Sequence, residues 1–168
     1  MIRNHFSRYG LSCGLLTLPI FLWNVLFARH LPSALEWEEF WRDIPPLIGC
    51  GENVLRLVVV LVPFLMPLEI STVVQRRGLF LFLAGTAVYF SAWLAVIFFP
   101  LSTWSSSRAG FLGPAYTPLF WLTGLGLMGR ALYWPSPYKP WMYLAVAWCF
   151  VVFHVAHACI VYMRNYVH

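Results

Sequence analysis

Five apolar stretches follow one another along the chain with hardly a charge inside them, and no soluble fold absorbs that pattern. They run from about Leu11 to Ala28, from a start between Leu47 and Val54 to Leu68, from Leu79 to Phe99, from about Pro114 to Trp134, and from Trp141 to Met163. At about 1.5 Å per residue, each is long enough as a helix to cross a hydrocarbon layer of about 30 Å. A helix also satisfies its own backbone there. The expected fold is an all-α integral membrane protein: a compact bundle of five transmembrane helices plus a short interfacial helix, with residues 1–168 forming one domain.

Composition removes most other classes. The chain is 61% hydrophobic and only 10% charged, with a mean hydropathy of +0.73, far from soluble proteins. No length remains for a soluble catalytic domain. Nine Trp suit a chain whose indole rings sit at the headgroup level and between helices. The formal charge of +5 is spread over eleven basic residues without forming a stripe, so nucleic acid is not an expected partner and the lipid bilayer is. The four Cys, at positions 13, 50, 149 and 159, show no CxxC spacing. Cys50 and Cys159, both placed near the outer face, are the pair whose position admits a disulfide.

The start MIRNHFSRYG resembles the basic region of a signal peptide, but the apolar stretch behind it is long and no small-residue cleavage motif follows FARHLP. It is therefore expected to stay as the first membrane helix. An odd number of crossings puts the termini on opposite sides. Arg3, Arg8, Arg76, Arg77, Arg130 and Lys139 fall on the N-terminal side, against Arg29, Arg42, Arg108 and Arg164 on the other. That excess predicts a cytoplasmic N terminus and a C terminus outside.

The connections carry their own signals. In LPSALEWEEFWRDIPP, Ser33 and Glu36 have capping-box spacing, and Trp37, Phe40, Trp41 and Ile44 recur every three to four residues. This predicts a short helix lying at the outer interface with those four side chains toward lipid, stopped by Pro45 and Pro46. The stretch PLSTWSSSRAGFLG reads as a mobile outer link, and WPSPYKP as a stiff inner turn. The run Gln75, Arg76, Arg77 reads as an ordinary inside anchor. Gly124, Gly126 and Gly129, with a thinner signal from Gly85, permit close helix packing.

Function in such a chain rests with the few ionisable groups left near the membrane, because each is costly there. They are Glu52 and Arg56 in the second stretch, Glu69 at its inner end, Arg130, and His154 and His157 in the fifth. Glu52 and Arg56 are four apart with the acid first, the favourable order for a helical pair. Pro63 and Pro67 predict a kinked second helix. His154 and His157 are three apart, hence on one face, and at a depth matching Glu52 and Arg56. These four are the expected ligand-binding residues, converging on one polar cavity in the outer half of the bundle. His154 and His157 are also candidate metal ligands, with Glu52 and Cys159 or Cys50 to complete a set, although HVAHA lacks the glutamate of the hydrolase signature. No cofactor is identified by any motif.

Three functions compete. The first is binding of a partner membrane subunit or a small hydrophobic molecule in or beside the bundle. The second is a membrane-embedded enzyme acting on a lipid or quinone, for which a histidine–carboxylate pair offers acid and base groups but no nucleophile stands beside them. The third is a transporter or channel component working as a homo-oligomer.

Overall fold

A computed structural model describes residues 11–166, and all of its regular structure is helical. The first helix, α1 (Leu18–Phe27), is entered through a 3-10 turn at Cys13–Thr17, with Pro19 in the first turn, where a missing N–H costs nothing. A 3-10 turn at Ser33–Leu35 leads to the short α2 (Trp37–Trp41). Then come α3 (Pro46–Leu61), α4 (Val73–Phe98), α5 (Pro118–Met128) and α6 (Pro140–Tyr166). Four helical segments, Cys13–His30, Pro46–Leu65, Val73–Phe98 and Pro140–Tyr166, are long and apolar enough to cross a membrane, as expected of an all-α membrane protein. Their outward faces carry Leu22, Val25, Leu57, Phe80 and Val152, all exposed. Apolar residues arrayed over a whole outer surface are what a lipid-facing bundle requires.

The fourth apolar stretch differs from the expectation of one long helix. It is broken into a four-residue turn at Gly113–Tyr116 and the eleven-residue α5, which ends at Met128, and the link before it, expected to be mobile, carries two further helical turns at Thr103–Ser106 and Arg108–Phe111. Pro114 and Pro118 each lack an amide donor, so the turns cannot merge into a continuous ladder. In the second helix the regular α-ladder ends at Leu61, just before Pro63, and α3 tightens into a 3-10 turn at Val62–Leu65 that stops at Met66. Its end is clamped to the start of α1, where the Cys13 amide donates to the Met66 carbonyl at 2.9 Å and the Leu68 amide to Leu11 at 2.9 Å.

Short though it is, α5 is the most enclosed helix, with Trp121, Leu122, Leu125 and Met128 all buried. It packs antiparallel against α4 through glycines. A Cβ on Gly124 would meet the backbone N of Phe82 at 2.5 Å and Gly78 O at 2.7 Å, and one on Gly85 would meet the Trp121 amide N at 2.6 Å. Backbone therefore lies against backbone at this crossing, the contact small residues permit between membrane helices. On the other side, α6 runs antiparallel to α3. Gly51 receives the ring of Phe153, which a Cβ there would strike at 2.4 Å, and the Tyr143 hydroxyl donates to Val59 O at 3.2 Å.

The ends of the bundle are pinned differently from the sequence reading. Gln75 is buried and forms a reciprocal capping box with Thr72, and its side-chain amide donates to Met128 O at 3.3 Å, tying the start of α4 to the end of α5. Nearby, the Tyr138 hydroxyl donates to Gly129 O at 3.2 Å, and burial pushes its phenol pKa up. The expected capping box at Ser33 and Glu36 does not form: Glu36 is itself the N-cap residue of α2 and makes no side-chain cap bond. At this opposite end Arg164 donates to the carbonyls of Glu39 and Arg42, and Arg42 pairs with Glu39 at 2.8 Å. Cys50 and Cys159 are both free thiols; Cys159 Sγ accepts instead from Arg108 at 3.1 Å.

Candidate functional site

Glu52 is fully buried although it lies only one and a half turns into α3, and it is the one carboxylate in the four long apolar segments. It is reached from two helices. Arg56, one turn further along α3, donates to Oε1. From α6, His154 Nδ1 lies 3.0 Å from the same Oε1 and His157 Nδ1 lies 2.5 Å from Oε2. The four residues singled out in sequence therefore meet around one carboxylate, because Gly51 lets α3 and α6 approach at that level.

The histidines are not equivalent. His157 is fully buried, stacks on Phe40 with ring centroids 4.1 Å apart, and is met edge-on by Trp41 at 4.6 Å. Its Nε2 lies 2.8 Å from the Phe40 carbonyl oxygen. His154 retains about a fifth of its side-chain surface and stacks on Phe150, the rings inclined by only 10°. Arg56 keeps 35% of its surface, and its guanidinium sits 5.9 Å from the centre of the Trp41 ring, within cation–π range. Of the four aromatic and apolar side chains expected to face lipid from the 37–44 segment, Phe40 and Trp41 instead form a cover over His157, and Trp37 is exposed. Covering a buried ion network with aromatic rings keeps water from competing for its hydrogen bonds.

The expected metal role of His154 and His157 finds no supporting ligand geometry. Both Nδ1 atoms are committed to Glu52 at direct hydrogen-bond distance, His157 Nε2 to a carbonyl, and no group of three or more His, Cys, Asp or Glu among the described residues is arranged to hold a metal ion. Cys50 is exposed, and Cys159 is engaged by Arg108. Glu69 and Arg130 are exposed near the opposite end and take no part in the cluster.

Beside this cluster lies a cavity of about 310 Å³ between α1, α3, α4, α5 and α6. Ile20, Phe21, Val59, Val60, Pro118 and Phe150 supply apolar walls, Trp93 and Trp121 supply indoles, and the polar lining residues are Arg56 and His154 from the Glu52 cluster and Asn24 and Tyr89. The Tyr89 hydroxyl donates to Asn24 Oδ1 at 2.7 Å, linking α1 to α4. The indole N–H of Trp121 is buried without an acceptor. Sequence reasoning missed Asn24, Tyr89 and the indoles as site residues. Asn24 carried a usable signal, since a lone amide inside an apolar stretch is costly unless it finds a hydrogen-bond partner; the Phe40 carbonyl carried none. Comparison with protein-family models, curated proteins and solved structures gives no significant match.

Proposed function

We propose that this is a five-crossing membrane protein that binds a small hydrophobic molecule in the cavity bounded by α1, α3, α4, α5 and α6. The observation that carries this reading is the cavity itself: mostly apolar walls, a few polar groups among them, and the Glu52 ion network adjoining it through Arg56 and His154. That combination is what ligand sites in helix bundles have in common. The broken fourth stretch counts as a crossing, because α5 runs antiparallel to α4 and ends at Met128, beside the N-terminal turn of α4. Of the basic residues described, Arg76, Arg77, Arg130 and Lys139 gather at the end where α4 begins, and Arg3 and Arg8 lie outside the described residues. Arg29, Arg42, Arg108 and Arg164 balance those four at the other end, so the reading of the α4-start end as cytoplasmic, with the C terminus and the His157 cluster toward the outer side, rests on the six-to-four count over the whole sequence. An embedded enzyme is the weaker reading: Glu52 and His157 offer acid and base groups, but neither thiol at this end, Cys50 or Cys159, contacts them.

The test is ligand retention and quenching. Native mass spectrometry of the protein released from lipid nanodiscs is expected to show one retained small molecule, and brominated apolar probes are expected to quench tryptophan fluorescence saturably. Trp121→Phe should remove part of that quenching. Linear, unsaturable quenching of the kind bulk lipid gives, together with an empty mass spectrum, would sink the proposal.

A further inference from the structure

The protons of the Glu52 cluster can be counted, and the count states the charge that faces the cavity. A backbone carbonyl only accepts, so His157 Nε2, 2.8 Å from Phe40 O, carries a hydrogen. With Nε2 protonated, a neutral ring would aim the lone pair of Nδ1 at Glu52 Oε2 across 2.5 Å, which two acceptors do not tolerate. A second proton therefore sits between these atoms, on the ring or on the carboxyl group, and either way the Glu52–His157 pair is neutral as a unit. Arg56, whose guanidinium stays protonated in proteins, is then not balanced by Glu52. His154 Nδ1 lies 3.0 Å from Glu52 Oε1, and an imidazole brings no negative charge to the cluster. The cluster carries a net charge of at least one positive unit, and within the four long apolar segments Glu52 is the only carboxylate among the described residues.

That charge adjoins the cavity, since Arg56 and His154 both line it. An uncompensated cation beside apolar walls is costly, and an anion of matching position removes the cost. Trp121 is another lining residue, and its buried indole N–H, which only donates, has no acceptor. Asn24 has its carbonyl oxygen occupied by Tyr89, which leaves its amide as a donor. We infer that the cavity takes an amphiphile with an oxyanion head, a carboxylate or a phosphate ester, its head held at Arg56 and its chain along the apolar walls. This rests on the ligand-binding reading above and narrows it to a chemical class.

The experiment compares each anion with its neutral counterpart, using protein in nanodiscs of zwitterionic lipid and reading tryptophan quenching. Dibrominated stearic acid, fully ionised, is set against its methyl ester, and brominated phosphatidic acid against the corresponding diacylglycerol. At least one anionic probe is expected to saturate at about tenfold lower concentration than its neutral partner, and which one does so identifies the head. Arg56→Gln is expected to abolish the preference and Arg56→Lys to keep most of it, with monodisperse elution as the check on folding. If anionic and neutral probes saturate alike in the unaltered protein, the oxyanion inference is overturned while the cavity reading stands. If no probe saturates, both fall.

Discussion

His157 is held by both ring nitrogens, with Nδ1 2.5 Å from Glu52 Oε2 and Nε2 2.8 Å from the backbone oxygen of Phe40. This one imidazole joins α3, α6 and the α2 segment, so the ion cluster is also the fastener of its end of the bundle. Removing the carboxylate leaves Arg56, His154 and His157 without their shared acceptor. Glu52→Ala is expected to cost about 3–5 kcal/mol, the range for breaking a buried ion pair by deleting one partner. Glu52→Gln should cost clearly less, because its amide can still accept from Arg56 and donate to a neutral His157 Nδ1. Thermal unfolding in detergent checks both, and an unchanged midpoint for Glu52→Ala would contradict the role given to this contact.

The α4–α5 crossing predicts a sharp contrast between glycines. A Cβ at Gly124 would meet backbone atoms at 2.5 and 2.7 Å, whereas one at Gly113 would lie 3.3 Å from the Ala92 methyl and 3.9 Å from the Tyr116 hydroxyl. Backbone cannot step aside as a side-chain tip can. Gly124→Ala should therefore destabilise by about 1–3 kcal/mol, as overpacking of a tight core does, and Gly113→Ala by much less. Melting of the two variants side by side is the measurement, and equal losses would argue against backbone contact at the crossing.

Gln75 and its neighbours offer a second contrast. Gln75 is buried, accepts from Ser71 and Thr72, and donates to Met128 O at 3.3 Å, while Arg76 and Arg77 are exposed. Gln75→Ala is expected to cost about 1–2 kcal/mol through the lost cap and the unpaired carbonyl. Arg76→Ala should leave the melting midpoint nearly where it was. A larger loss at Arg76 than at Gln75 would invert the assignment of which residue holds this end.

Whether α5 crosses the membrane is open to direct labelling. In a cysteine-free background, single cysteines replacing the exposed Thr103 and Ser136 should react with impermeant maleimide from opposite sides, position 103 from outside and position 136 from the cytoplasm. Reaction of both from the same side would remove the fifth crossing.

Much of the membrane character was already determined by the sequence. Long runs of apolar residues from Leu18, Val54, Leu79 and Trp141 onward leave helix as the backbone's means of satisfying itself, and four long helical segments follow. The expensive side chains Glu52, Arg56, His154 and His157 also stood out, because an ionisable group in such a run has few reasons to be there. Tertiary structure decided the rest. That these four meet around one carboxylate depends on the α3–α6 contact at Gly51 and Phe153, 102 positions apart, which no local periodicity encodes. Phe40 and Trp41 showed an apolar face, but whether that face meets lipid or a histidine is a matter of which helix end lies beneath it. The proton between Glu52 and His157, and the positive charge it leaves on Arg56, came from distances alone. Composition and period report the solvent a segment prefers, whereas partners, proton positions and cavities arise only when separate segments are packed together.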